Sequence, residues 1–117
     1  MNISLRLPVL LATLLVTATC VAAPTGHAAA GKAKAQQVCS ACHGADGNKT
    51  LDGSYPKLAG QYPDYLSKAL HEYKSGKRKN PIMMGQAQGL SDQEIADLAA
   101  YFGSLSSQIH DLSGHAR

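Results

Sequence analysis

The 117-residue chain has no tryptophan, one phenylalanine and five tyrosines, so few large side chains are available to build an apolar core. Small domains that bury little surface rely on disulfides, a metal or a cofactor for stability. A disulfide framework is excluded, because Cys39 and Cys42 are the only cysteines beyond residue 23 and a bond between them would join no distant segments. We therefore predict that a bound group completes the core.

The N-terminus is predicted to be a signal peptide over residues 1–23, with cleavage between 22 and 30. It has Arg6, an apolar run over residues 7–16 and small residues after the run. An uncleaved anchor is the alternative, but the run is shorter than the roughly 20 residues of a membrane span. Cys20 has no lipoprotein-like context and is assigned to the removed segment. The expected location is the periplasm, an oxidising compartment.

The organisation beyond the signal peptide is predicted to be a flexible leader over residues 24–30, one domain over 31–105 and a polar tail over 106–117. No segment resembles a strand of convincing length, and three segments have helical character, so we expect an all-α fold. Alanine, lysine and glutamine predict the first helix from Ala28 to Cys39. The glycine-rich stretch over residues 44–61 is expected to be loop.

The second predicted helix begins near Tyr62, with Pro63 in its first turn, and stops at Gly76. Residues 77–90 are predicted to be a loop. The third helix begins with a capping box in which Ser91 and Glu94 satisfy each other's backbone N–H groups, and it ends at residue 103 or 105. Apolar residues recur on one face of the second and third helices, so both are expected to face the core.

Cys39, Cys42 and His43 form the sequence Cys-Ser-Ala-Cys-His, which has three chemical interpretations. A thioredoxin-like dithiol needs a βαβ unit, and no strands are predicted. A structural zinc site needs four ligands, and the predicted mature chain has no second cysteine pair. A covalent haem needs two thiols at this spacing for its two vinyl groups and an adjacent imidazole for the iron. Export and the small core favour the haem.

The sixth position on the iron would decide between an electron carrier and a catalyst. A methionine thioether favours electron transfer, whereas an open position allows small molecules to bind. Met83 and Met84 are the candidates, in the predicted loop over residues 77–90. Methionines also fill gaps in apolar cores, which is the alternative interpretation. The spacing alone does not choose between the two residues. His71 is interpreted as a surface histidine.

Three segments in this order resemble the class I cytochromes c. They are "GKAKAQQVCSACHGADGN", "YPKLAGQ" followed by "YLSKALHEYKSGKR", and "MMGQAQGLSDQEIADLAAYF". The chain is similar to small bacterial monohaem cytochromes of the c-553 type and to a single repeat of the dihaem cytochrome c4 type, over about residues 31–105. The resemblance implies three main helices packed around one haem c, bound covalently through Cys39 and Cys42.

The resemblance also implies the roles of several residues. His43 would be the proximal iron ligand and Met83 the distal one, with Met84 as the fallback. Pro56 would accept the proton of the second His43 nitrogen, and Leu58 would pack beside the porphyrin ring. The first and third helices would cross at Gly31, Leu98 and Tyr101.

The implied function is that of a one-electron carrier between redox partners rather than an enzyme. Two alternatives remain: a haem subunit or domain of a larger dehydrogenase, and a haem protein whose labile sixth ligand admits small molecules. A basic run predicts either a solvated patch or a docking rim for an acidic partner, and it comprises Lys74, Lys77, Arg78 and Lys79. Nucleic acid is not an expected partner, membrane contact is expected only through partner complexes, and a monomer is expected.

Overall fold

The computed structural model describes residues 22–107, which form five helices and no strand. The helices are α1 (Ala28–Val38), α2 (Ser40–His43), α3 (Pro63–Lys74), α4 (Pro81–Gln88) and α5 (Asp92–Ser104). The predicted all-α fold is confirmed. Most of the predicted signal peptide, and the polar tail beyond residue 107, lie outside the described residues.

The first and last helices pack closely against each other. Gly31 in α1 lies against the backbone carbonyl of Asp97, and a Cβ atom at position 31 would lie 2.8 Å from Cβ of Tyr101. The ammonium of Lys34 forms an ion pair of 2.6 Å with Glu94 across the same contact. A glycine at this position lets the two backbones approach more closely than any side chain would allow.

The segment over residues 24–30, expected to be a flexible leader, is held against α5. The backbone N–H of His27 donates a 2.7 Å hydrogen bond to the buried carboxylate of Asp97. Helix α1 then begins at Ala28, three residues before the predicted domain boundary. The first helix therefore begins where the sequence predicted it, and the segment before it supplies one of the hydrogen-bond partners that the buried Asp97 carboxylate needs.

Local sequence signals place the ends of α3 and α5. Pro63 is the first residue of α3, and Gly76 follows its end with a φ of 75°, a conformation that favours glycine. At the start of α5, the Ser91 hydroxyl accepts the Glu94 N–H at 3.2 Å, and the Glu94 carboxylate accepts the Ser91 N–H at 2.8 Å. The predicted capping box is confirmed.

The predicted loop over residues 77–90 is wrong, because residues 81–88 form helix α4. The side chain of Asn80 accepts the backbone N–H of Met83 at 3.0 Å, which satisfies one of the free donors of the first turn. Pro81 occupies the first helical position, where its fixed φ suits the helix and its missing N–H costs nothing. The Asn-Pro pair was the sequence signal for this helix.

The apolar core lies between α5 and the helices around it, and it is small. Ile95 and Leu98 are the largest side chains that are fully buried among the described residues. The remaining buried residues of the cluster are Ala35, Leu66, Leu90, Ala99, Tyr101 and Phe102. Of the helices within residues 22–107, none has the length and apolar character to cross a bilayer.

Candidate cofactor site

A cavity of about 510 Å³ opens between the Cys-Ser-Ala-Cys-His segment, the loop over residues 54–58 and helices α3, α4 and α5. Its volume lies within the usual range for small-molecule and cofactor sites. The cavity brings together the predicted site residues from three separate parts of the chain. They are Cys39, Cys42, His43, Pro56, Leu58 and Met83.

Cys39 lies between α1 and α2, and Cys42 lies within the single turn of α2. Cys39 ends α1, and its carbonyl accepts the N–H groups of Cys42 at 3.2 Å and His43 at 3.0 Å. Both thiols are free and half-buried. Burial raises the pKa of the Cys39 thiol to about 11, against the opposing effect of the Lys34 ammonium. A redox dithiol has a lowered pKa instead, so the environment of Cys39 does not favour that interpretation.

His43 is buried and has one ring nitrogen committed to the backbone. Its Nδ1 lies 2.8 Å from the carbonyl oxygen of Pro56. A carbonyl can only accept a hydrogen bond, so Nδ1 carries the proton and Nε2 is left with its lone pair as a metal-ligating nitrogen. The ring of Tyr55 meets the imidazole edge-on, with centroids 6.2 Å apart. These two contacts orient the imidazole.

The two adjacent methionines point in different directions from α4. Met83 lines the cavity. Met84 has its terminal methyl carbon near Gly76, where a Cβ atom would lie 3.9 Å away. The structure therefore distinguishes the two methionines, because Met83 lines the cavity and Met84 does not.

Arg78 lines the cavity while its side chain stays 38% exposed, and the sequence reasoning missed this contact with the cavity. Its guanidinium lies over the rings of Tyr65 and Tyr73, at 5.7 and 5.3 Å from their centroids. It donates a 3.1 Å hydrogen bond to the Tyr65 hydroxyl and lies 3.7 Å from the Glu72 carboxylate. The Tyr65 hydrogen bond raises the pKa of Arg78 above its usual range.

Lys74 also has partners within the protein. Its ammonium donates a 2.6 Å hydrogen bond to the carbonyl of Leu90 and lies 3.5 Å from the carboxylate of Asp92. Lys77 and Lys79 are exposed. The predicted basic rim is therefore divided: Lys74 and Arg78 are partly exposed and paired with neighbouring groups, and Lys77 and Lys79 are exposed.

His71 lies away from the cavity. Its Nδ1 donates to the carbonyl of Ser67 at 2.8 Å, and its Nε2 lies 3.5 Å from Asp92.

Within residues 22–107, no group of three or more His, Cys, Asp or Glu side chains is arranged to hold a metal ion. A zinc ion would need such a group.

The residues that line the cavity fit a covalently attached haem. Two free thiols lie beside an imidazole whose Nε2 is available, a thioether lines the same cavity, and the core around it contains few large side chains. This donor set, one nitrogen and one thioether sulfur, is a common pair of axial ligands for haem iron in electron-transfer proteins.

Comparisons with known proteins identify the family of this chain. The family model for cytochrome c matches residues 28–106. Cytochrome c4 of Pseudomonas aeruginosa is 54% identical over 97 residues, which cover 81% of this chain and 47% of that protein. Cytochrome c-554(548) of Halomonas halodenitrificans is 48% identical over 82 residues, which cover 68% of this chain and 96% of that protein.

A solved structure shares the fold. The crystal structure of reduced recombinant cytochrome c4 from Pseudomonas stutzeri matches with a TM-score of 0.65 and 44% sequence identity, over 70% of this chain and 47% of that one. The chain thus spans about half the length of the cytochrome c4 relatives that it matches.

Proposed function

The chain belongs to the cytochrome c family and carries a covalently bound haem c, and from this premise we propose that it is a periplasmic one-electron carrier with His43 and Met83 as its iron ligands. The observation that carries the proposal is the presence of Met83 in the wall of the cavity that His43 also lines. A thioether in the sixth position leaves no site for a substrate on the iron, which favours a carrier over a catalyst.

The bound haem supplies the exchange of single electrons at its iron, and the chain positions the group. Cys39 and Cys42 would hold the haem through thioether bonds. His43 offers Nε2 to the iron, and its hydrogen bond to Pro56 fixes the ring direction and increases the basicity of the ligand. Met83 raises the reduction potential relative to a nitrogen or oxygen ligand. Leu58 contributes an apolar wall that excludes water.

The proposed partners are redox proteins with an acidic surface. Lys77 and Lys79 are exposed and directly precede α4, which carries Met83 and the exposed side chain of Ile82. A positive patch beside an apolar contact accelerates association with an acidic partner. The docking surface proposed here therefore contains Lys77 and Lys79 but not Lys74 or Arg78, whose charges are already paired with neighbouring groups of the same chain.

The proposed periplasmic location follows from the N-terminal pattern of residues 1–23. The segment directly after this pattern is part of the folded domain, because His27 bonds to Asp97 and α1 begins at Ala28. Cleavage after Ala30 would remove these residues, so we propose cleavage at 22 or 23. The mass of the protein recovered from the periplasm measures this position directly.

Optical spectra of the oxidised and reduced holoprotein, with and without carbon monoxide, test the proposed ligation. We expect a weak sulfur-to-iron charge-transfer band in the oxidised protein and slow, incomplete binding of carbon monoxide by the reduced protein. Rapid, complete carbon monoxide binding without that band would instead indicate the protein with a labile sixth ligand. Recovery of the chain only in a stable complex with a dehydrogenase would indicate a dedicated subunit.

A further inference from the structure

Helix α4, which carries Met83, is held by few buried contacts. Ala87 is its only buried residue, and the side chain of Ile82 is 55% exposed. Its main packing partner among the helices of residues 22–107 is α3. Segments with few buried contacts open locally at a lower free energy than the whole domain unfolds. The position of α4 therefore depends strongly on how its two ends are fixed.

The two ends of α4 are fixed by different groups. Asn80 caps the first turn through its hydrogen bond to Met83. At the other end the helix stops at Gly89, and the next residue, Leu90, is buried against the core. The Lys74 ammonium donates to the Leu90 carbonyl at 2.6 Å, which joins the last turn of α3 to the segment directly after α4.

The ammonium of Lys74 is itself held in place. The carboxylate of Asp92, in the first turn of α5, lies 3.5 Å away, and the side chain of Lys74 is 34% exposed. Hydrogen bonds from a charged donor are roughly twice as strong as neutral ones. One partly buried charge thus joins α3, the end of α4 and the start of α5.

We infer that Lys74 is a positioning residue for Met83: its hydrogen bond to Leu90 keeps α4 closed and so keeps the thioether on the iron. This inference rests on the proposed His43 and Met83 ligation. It assigns Lys74 a role inside the protein, in place of the docking role that its basic neighbours suggested.

Imidazole binding to the oxidised holoprotein measures the opening of α4. Imidazole can reach the iron only when Met83 has left, so its apparent Kd is the intrinsic Kd divided by the fraction of open protein. In Lys74→Met we expect the apparent Kd to fall about fivefold, the effect of one charge-assisted hydrogen bond at a partly exposed site. Lys74→Arg keeps the charge and the hydrogen-bond donors, so its apparent Kd for imidazole should lie between those of Lys74→Met and the wild type.

Two variants with the same chemical change serve as controls. Lys77→Met removes an exposed lysine of the same basic run. Lys34→Met removes the 2.6 Å ion pair with Glu94 in the first turn of α5 and leaves the Lys74 hydrogen bond to Leu90 in place. We expect Lys34→Met to lower the thermal midpoint and neither control to change imidazole affinity. A general loss of stability is thereby separated from the opening of α4.

Gly85→Ala should have the opposite effect. Gly85 lies inside α4, and a Cβ atom there would meet nothing within 4 Å. Alanine is favoured over glycine in a helix interior, so we expect the apparent Kd for imidazole to rise about threefold. An unchanged Kd would contradict the claim that α4 must open for imidazole to bind.

The inference is overturned if Lys74→Met binds imidazole like the wild type, or if Lys34→Met shows an equal gain in affinity. If Lys74→Met yields no holoprotein, Lys74→Gln, whose side chain is too short to reach Leu90, provides the same comparison. Failure of the ligation itself is distinguishable, because the wild type would then lack the sulfur-to-iron band. A wild type with that band, together with an unshifted Lys74→Met, contradicts the role of Lys74 alone.

Discussion

Gly31 in α1 lies directly against the backbone carbonyl of Asp97 in α5, with no space for a side chain between the two helices. Helix α1 leads into Cys39, and α5 contributes Leu98 and Phe102 to the wall of the cavity. The approach of the two backbones therefore sets where the cysteine pair stands relative to the rest of the site.

Gly31→Ala should destabilise the holoprotein. A methyl group at position 31 would overlap the Asp97 carbonyl and crowd Tyr101, and overpacking of this kind costs about 1–3 kcal/mol. We expect a lower thermal midpoint and a lower yield of haem-loaded protein. Gly53→Ala is the matched control, since a Cβ atom at Gly53 meets nothing within 4 Å. Equal midpoints for the two variants would show that the crossing tolerates a side chain.

Met83→Ala should abolish the sulfur-to-iron band and lower the reduction potential. The expected decrease is on the order of a few tenths of a volt, a part of the roughly 0.8 V over which axial ligands set haem potentials. Met84→Ala is the control, because Met84 lies near Gly76 and outside the cavity wall. Spectra and redox titrations of both variants decide the assignment. Loss of the band in Met84→Ala alone would reverse it.

The double variant Lys77→Gln/Lys79→Gln should react more slowly with an anionic oxidant. Ferricyanide serves as the probe, and we expect its second-order rate constant to fall about two- to threefold at low ionic strength and less at high ionic strength. Lys32→Gln/Lys68→Gln removes the same charge elsewhere and is the control. Equal decreases in both double variants would indicate an effect of net charge without a docking surface.

The negative charge of Glu94 should stabilise the protein when the pH is above the usual pKa of a glutamate, and this stabilisation should be lost in acid. Hydrogen bonding to Lys34 and to the Ser91 N–H lowers the pKa of Glu94 from 4.5 to about 2. Because the folded pKa is the lower one, the stabilisation is complete above about pH 4.5 and is lost as the pH falls toward about 2.

Glu94→Gln keeps the capping geometry and removes the charge. The difference in thermal midpoint between wild type and Glu94→Gln should therefore shrink as the pH falls from about 5 to about 3. Lys34→Met should reduce the same pH dependence, because Lys34 is the main cause of the shift. A difference in thermal midpoint that stays constant between about pH 5 and about pH 3 would contradict the lowered pKa of Glu94.

The Cys39→Ala/Cys42→Ala variant, made without haem, should be largely unfolded. Few large side chains are fully buried, and the cavity of about 510 Å³ removes packing partners from those that line it. Far-ultraviolet circular dichroism should show a large loss of helicity relative to the holoprotein. Native-like helicity with a cooperative thermal transition would show that the chain folds without its cofactor.

Features that depend on neighbouring residues could be predicted from the sequence. The Cys-Ser-Ala-Cys-His segment, the capping box of Ser91 and Glu94 and the start of α3 at Pro63 each lie within one or two helical turns. Their chemistry is local, because a cap bonds three residues away and the haem thiols are three positions apart. The all-α fold followed from the same local patterns.

The tertiary structure decided what depends on distant partners. It made a helix of residues 81–88, turned Met83 to the cavity and Met84 away from it, and gave Lys74 a partner sixteen positions along the chain. A basic run in the sequence does not show which charges are bound inside the protein, because that depends on which carbonyls and rings the fold brings within hydrogen-bonding distance. Sequence alone thus determined the haem attachment motif, and packing determined which side chains surround it.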